Sequence, residues 1–282
     1  MNKVGNIIVK GSCEKPMLVD ITYPDDLNKK SPVVIFSHGF KGFKDWGHFN
    51  LVSEAFAKAG FVFIKFNYSH NGVSPENPTD FVNLKAFGEN TYSKEVEDLK
   101  IMVDYVFNDT ELDKVVDKNQ IFLIGHSKGG GNSILVASND KRIKKICTWA
   151  SVSRFGRMFN NKHFMDKWKE DGVVFIMNAR TKEPMPMYYN FYEDYIENKE
   201  NLDVKKAASE INIPWLIVHG SNDFVVTLKE AKMLSSLNPN AKLLTNEGDH
   251  AFGGAHPWMR DELPELAQMV VKQTIEFFKT PN

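Results

Sequence analysis

Short apolar runs rich in β-branched and aromatic residues alternate with longer amphipathic stretches along most of this chain. That alternation rules out all-α and all-β architectures. It predicts the α/β class: a mostly parallel sheet with helices on both faces. The expected core strands are 32–39, 61–68, 121–125, 144–150, 214–220 and 241–248. The expected helices are 48–59, 91–107, 128–138, 227–237 and 262–279. In the second of these, Val96, Leu99, Val103 and Val106 share one face. Gly60 is placed to end the first. Near the N-terminus, NIIVKG and MLVDITYP lie too close together for an intervening helix, and they are expected to pair as an antiparallel hairpin at a sheet edge.

The alternation breaks once. Residues of about 152–210 contain no clean strand–helix pair but concentrate aromatic and methionine side chains, among them Phe155, Trp168, Met187 and Phe191. Loops of this length are rare unless they serve a function. The expected organisation is therefore one domain over 1–282 with an inserted cap or lid at about 152–210. Its best candidates for lining a ligand pocket are in MPMYYNFYEDY, with Tyr188, Tyr189 and Tyr192 foremost. The blander account is that these side chains form the cap's own small core.

Chemistry enters at IFLIGHSKGGG. Gly125-His126-Ser127-Lys128-Gly129 is a G-x-S-x-G pentapeptide between an expected strand and an expected helix. A serine on so sharp a turn is held in a strained conformation and projects above the sheet, where neighbouring chain comes close. The positions two before and two after it must be tiny, and both are glycine. The helix start also aims free N–H groups at the serine. The competing reading is a glycine-rich phosphate loop, but neither G-x-x-x-x-G-K-[ST] nor G-x-G-x-x-G is present.

A serine hydroxyl needs a base to accept its proton and an acid to orient that base. Asp223 follows the strand PWLIVHG, and His250 follows AKLLTNEG. Both are at the carboxyl ends of strands, where ligands of open α/β sheets gather. Their chain order, after the serine, is the one such a site requires. His256 is a competing base, His219 is expected to be structural, and Asp249 is expected to be a solvated loop carboxylate. The oxyanion of an acyl-transfer intermediate needs backbone donors. The Lys128 N–H is one candidate and the Phe40 N–H, in SHGFKG, is the other.

Composition removes other classes. The formal net charge of −1 argues against a nucleic-acid partner, which would call for a basic excess. No stretch approaches the ~18 apolar residues of a membrane span. The N-terminus has no apolar run of signal-peptide length, and a cytoplasmic location is expected. Only Cys13 and Cys147 occur, read as two free thiols, the second in a buried strand. No spacing of His, Cys or carboxylates suggests a metal, and no cofactor is expected.

With these motifs in place, the chain resembles the α/β-hydrolase superfamily from about Pro32 onward. The resemblance rests on SHGF (37–40), GHSKGG (125–130), HGSNDFVV (219–226) and GDHAF (248–252). It is most similar to carboxylesterases related to cinnamoyl/feruloyl esterases, dienelactone hydrolases and serine-aminopeptidase-like hydrolases. Lys128 stands where that group often has Gln or an apolar residue, which puts a cation at the pocket floor or rim. Neither cysteine lies in an elbow, which argues against dienelactone hydrolase activity. The resemblance implies hydrolysis of a small-molecule ester, with hydrophobic or aromatic acyl groups suited to the cap. Two alternatives remain open at this point. One is a peptidase or amidase, with Glu183, Glu193 or Asp194 gripping a substrate amine. The other is a non-catalytic binder on the same scaffold.

Overall fold

A computed structural model describes residues 1–26, 29–178 and 180–281. Its strands are β1 (Asn2–Lys10), β2 (Pro16–Tyr23), β3 (Ser31–Ser37), β4 (Val62–Phe66), β5 (Val116–His126), β6 (Ile143–Trp149), β7 (Val173–Met177), β8 (Pro184–Tyr188), β9 (Trp215–Gly220) and β10 (Ala241–Asn246). The helices are α1 (Phe49–Lys58), α2 (Leu84–Gly88), α3 (Tyr92–Asn108), α4 (Lys128–Asn139), α5 (Lys162–Asp171), α6 (Asn190–Glu197), α7 (Val204–Glu210), α8 (Leu228–Leu237) and α9 (Glu265–Lys279). Eight strands form one sheet in the order β1-β2-β4-β3-β5-β6-β9-β10. The six from β4 to β10 run parallel, while β1 and β2 form an antiparallel hairpin at one edge.

The period of two along each strand divides the core into two layers. Val33, Ile35, Ile121, Leu123 and Ile217 face one cluster, which α3, α4, α7 and α8 cover. Val34, Phe36, Phe122, Ile124 and Val218 face the other, which α1 and α9 cover. Burial on both faces is why these strands read as unbroken apolar runs. Val96, Leu99, Val103 and Val106 of α3 are all buried, as their spacing predicts.

The segment between β6 and β9 is more ordered than its sequence suggests. It holds a 3-10 turn (Arg157–Asn160), α5, the antiparallel hairpin β7–β8, α6 and α7. The hairpin escapes sequence reading because Pro184 and Pro186 interrupt β8, opposite Met177 and Phe175. Proline is tolerated in a strand only where its missing N–H faces no partner. Trp168 is fully buried and donates its indole N–H to the Met187 carbonyl at 3.0 Å, tying α5 to β8. Among the described residues, no helix is long and apolar enough to cross a membrane.

Candidate active site

Ser127 follows β5 and caps α4 with φ 56° and ψ −120°. This left-handed conformation is one a side chain rarely adopts, and the neighbouring packing holds it. The Ser127 N–H donates to the Trp149 carbonyl at 2.9 Å, and the Ser127 carbonyl accepts from Gly130 N–H at 3.0 Å. A Cβ on Gly129 would sit 2.2 Å from the Ser37 carbonyl oxygen, and one on Gly39 would sit 2.9 Å from the Ser127 Cβ. The ends of β3 and β5 thus press together around the serine, and glycine is the residue that permits it.

Two loops from the far side of the sheet complete the arrangement. The Ser127 hydroxyl is 2.9 Å from His250 Nε2, and His250 Nδ1 is 2.7 Å from Asp223 Oδ2. The structure therefore brings the three residues singled out in the sequence into one hydrogen-bonded chain. Asp223 is buried just past β9. Its Oδ1 accepts from the Val225 and Val226 N–H groups, each at 2.8 Å. Burial opposes its ionisation, but His219, His250 and the Val226 amide outweigh burial and hold the carboxyl below the usual carboxylate range. His219 is fully buried and donates to the Val226 carbonyl at 2.7 Å, which braces the Asp223 turn.

The competing residues are engaged in other contacts. His256 Nδ1 accepts from the Gly47 N–H at 2.9 Å, and its ring meets Phe43 edge-on. Asp249 is exposed and accepts from the Ala251 and Gly253 N–H groups at 3.1 and 2.8 Å. Sequence reading passed over His126, whose Nε2–H donates to the His250 carbonyl at 2.8 Å. It anchors the loop that carries His250. Its place inside the pentapeptide was the available signal.

Lys128 opens α4, so its N–H has no intrahelical partner. Its side chain is buried, with Nζ 2.6 Å from Glu95 Oε1 and 4.9 Å from the centre of the Phe40 ring. Glu95 also accepts from Asn90 Nδ2 at 2.7 Å and Asn132 Nδ2 at 3.2 Å. The cation expected at the pocket floor is thus already matched by a carboxylate from α3. A buried pair of this kind fixes geometry more than it adds stability.

Two cavities meet at Ser127 and Phe40. One, of about 210 Å³, is walled by Tyr92, Phe155, Met158, Met187, Phe191 and Val226. The other, of about 440 Å³, is walled by Phe43, Trp46, Phe81, His250 and His256. Tyr188, Tyr189 and Tyr192, the expected lining residues, border neither. Alternation along β8 turns Met187 toward the small cavity, while the Tyr188 ring packs on Gly88. On α6, Phe191 meets Tyr92 at 4.5 Å, whereas Tyr192 packs on Phe159 and Tyr189 on Trp168. Tyr189 and Tyr192 thus belong to the segment's own small core, and Tyr188 packs outside it, on α2. Glu183, Glu193 and Asp194 line neither cavity, and Asp194 accepts from the Ser93 N–H at 3.1 Å.

Buried histidines near the site, His38 and His48 among them, make the fold sensitive to acid. Burial lowers His38 and His48 from 6.5 to about 4. Each stays neutral in the fold and titrates near 6.5 once unfolded. The unfolded chain therefore binds more protons as pH falls below 6.5, and stability is lost progressively down to pH 4. At pH 5 the loss is on the order of 2 kcal/mol per histidine. The midpoint of thermal unfolding is expected to drop by several degrees from pH 7.5 to pH 5, and His48→Asn is expected to flatten that slope. An unchanged midpoint would contradict the account.

A family model described as BD-FAE matches residues 19–237. A Mycoplasma genitalium protein assigned by name to the esterases/lipases is 25% identical over 261 residues, which is 84% of this chain and 87% of that one. Est1E from Butyrivibrio proteoclasticus, solved with ferulic acid bound, is similar at a TM-score of 0.67 and 20% identity, over 96% of this chain and 98% of that one. DcsB, solved with its substrate analogue, is similar at 0.73 and 18% identity, over 99% of both chains. The architecture is the α/β-hydrolase fold.

Proposed function

The chain belongs to the BD-FAE family, and from that premise we propose that it is a serine carboxylesterase for small hydrophobic or aromatic acyl esters. The observation that carries this reading is the Ser127–His250–Asp223 hydrogen-bond chain at the strand ends. His250 takes the Ser127 proton as Oγ attacks the ester carbonyl. The oxyanion meets the N–H groups of Phe40 and Lys128. As the adduct collapses, the bond from carbonyl carbon to alkoxy oxygen breaks, and His250 passes its proton to that oxygen. Water then attacks the acyl-enzyme by the same steps in reverse order, releasing the acid and restoring the Ser127 hydroxyl. The Asp223 carboxylate stabilises the imidazolium throughout.

On this reading, residues 152–210 form a cap that roofs the acyl site. The small cavity is the acyl pocket, because most of its wall is aromatic rings, methionines and valines, with Lys128, Arg154 and Arg157 the cationic side chains that also border it. At roughly 30 Å³ per water-sized group, it has room for an acyl group of about seven to ten heavy atoms. Phe191→Ala removes the ring that meets Tyr92 at 4.5 Å in a tilted arrangement. It is expected to lower kcat/KM for a benzoyl ester by tenfold or more while changing the acetyl ester by less than about threefold. Tyr189→Ala and Tyr192→Ala are expected to affect both substrates alike. A Phe191→Ala effect equal on both substrates would count against the acyl-pocket assignment.

The aminopeptidase alternative has less support, because among the described residues no carboxylate lines either cavity to receive a substrate ammonium. A non-catalytic binder has no need of the aligned Ser127–His250–Asp223 chain. A fluorophosphonate probe, followed by a panel of phenyl and nitrophenyl esters, tests the reading directly. Failure to label the wild-type protein and to hydrolyse any ester would overturn it.

A further inference from the structure

Ser127 stands between two cavities, and His250 decides which part of a substrate each receives. When the tetrahedral adduct collapses, the imidazolium must reach the departing oxygen. His250 lines the larger cavity and not the smaller one. The alcohol portion therefore leaves through the larger cavity, and the acyl portion occupies the smaller. This assignment rests on the serine-esterase reading above.

The larger cavity, at about 440 Å³, has twice the room of the acyl pocket, and its polar lining has one sign. Lys41 and Arg180 line it, with His256 and Asn178, and among the described residues no carboxylate does. His256 accepts the Gly47 N–H on Nδ1, so the neutral ring carries its proton on Nε2 and acts there as a donor. Arg180 pairs with Asp80, which lies outside the lining, and its fork keeps further N–H groups. Lys41 spends one N–H on the Met177 carbonyl at 3.2 Å and keeps two. Asn178 Oδ1 already accepts from the Arg180 backbone N–H at 3.0 Å. The aromatic rings of Phe43, Trp46 and Phe81 form the remaining wall.

We propose that Lys41, Arg180 and His256 select a bulky, partly aromatic leaving alcohol that carries an anionic group, a carboxylate or a phosphate. Donors without acceptors around an apolar wall stabilise an anion, give a neutral alcohol less, and repel a cation. The covalent chemistry is that of the parent reaction. Only the group attached to the departing oxygen is specified.

The test compares four benzoate esters with a common acyl group. Their alcohols are phenol, 4-hydroxybenzoate, 4-hydroxyphenyl phosphate and 4-hydroxyphenyl-trimethylammonium. Each enzymatic rate is divided by the rate of hydroxide hydrolysis, to remove leaving-group reactivity. The carboxylate or the phosphate ester is expected to exceed the phenyl ester in kcat/KM by about tenfold, as one well-placed charge interaction would give. The cationic ester is expected to be the poorest. The better of the two anionic esters identifies which anion fits. The anionic-to-neutral ratio is expected to fall toward one in Arg180→Ala and Lys41→Ala and to persist in Arg180→Lys. Asp80→Asn frees the guanidinium and is expected to keep or raise the ratio. A loop that merely needs the Arg180–Asp80 pair would lose the ratio in Asp80→Asn as well, which would overturn the proposal. A wild-type ratio near one, with phenyl benzoate readily hydrolysed, would also overturn it and leave the esterase reading standing. If none of the four esters is hydrolysed, the esterase reading fails and this inference falls with it.

Discussion

Ser127→Ala is expected to lower kcat for phenyl benzoate by roughly 10⁶, the loss typical of a nucleophilic serine acting with its base. The fold should survive the change. Ser127 is held at φ 56°, a strain that alanine shares, and the elbow around it is closed by Gly39 and Gly129 rather than by the hydroxyl. The variant should therefore unfold near the wild-type midpoint, and it should still bind a benzoate product in the small cavity. Its remaining activity should stay above the rate in water, because the Phe40 and Lys128 N–H groups are still in place. Near-normal turnover, or labelling of the variant by a fluorophosphonate, would show that another group is the nucleophile.

Much of the architecture was legible in the sequence because burial on both faces writes a simple pattern. Val33 to Phe36, Ile121 to Ile124 and Trp215 to Val218 are unbroken apolar runs, and each run alternates between the two core layers. Ser127, Asp223 and His250 stood out for a related reason. Each lies in the loop just past the carboxyl end of a strand, where a parallel sheet gathers its loops. The glycines around Ser127 then mark the point where two strand ends touch. What stayed hidden depends on contacts between segments far apart in the chain. The partner of Lys128 is Glu95, and nothing local ties position 128 to position 95. The support of the His250 loop by His126 crosses 124 residues.

The β6–β9 segment misled for a different reason. Its composition announces an apolar cluster without saying which rings face the ligand. Met187 and Tyr188 are neighbours, yet strand alternation sends them to opposite sides. Phe191 and Tyr192 are likewise adjacent but part company around the turn of α6. Without the strand and helix limits, the tyrosines were the more conspicuous residues. Once those limits are known, a methionine and a phenylalanine form the wall. A one-residue error in register therefore changes which substitutions test substrate binding.

His250→Ala is expected to be nearly as damaging as Ser127→Ala, because serine and base act as a unit and their losses do not add. The double variant should then be little worse than either single one. His256→Ala is the informative comparison, since both histidines border the larger cavity. A base must offer a bare ring nitrogen to the serine proton. The neutral His256 ring already uses Nδ1 as an acceptor for the Gly47 N–H, which leaves Nε2 protonated. His250 has the opposite assignment: Nδ1–H is turned to Asp223, and Nε2 is bare toward Ser127. His256→Ala should therefore cost far less on phenyl benzoate, with an effect mainly on KM. Asp223→Asn should fall between the two extremes, at a loss of about 10⁴, because an amide no longer holds the imidazole in the correct tautomer. The protein would have to hold the imidazole in another way if Asp223→Asn were active. If His256→Ala were inactive and His250→Ala active, the base would be His256, and the division of alcohol and acyl sides drawn from His250 would have to be redrawn.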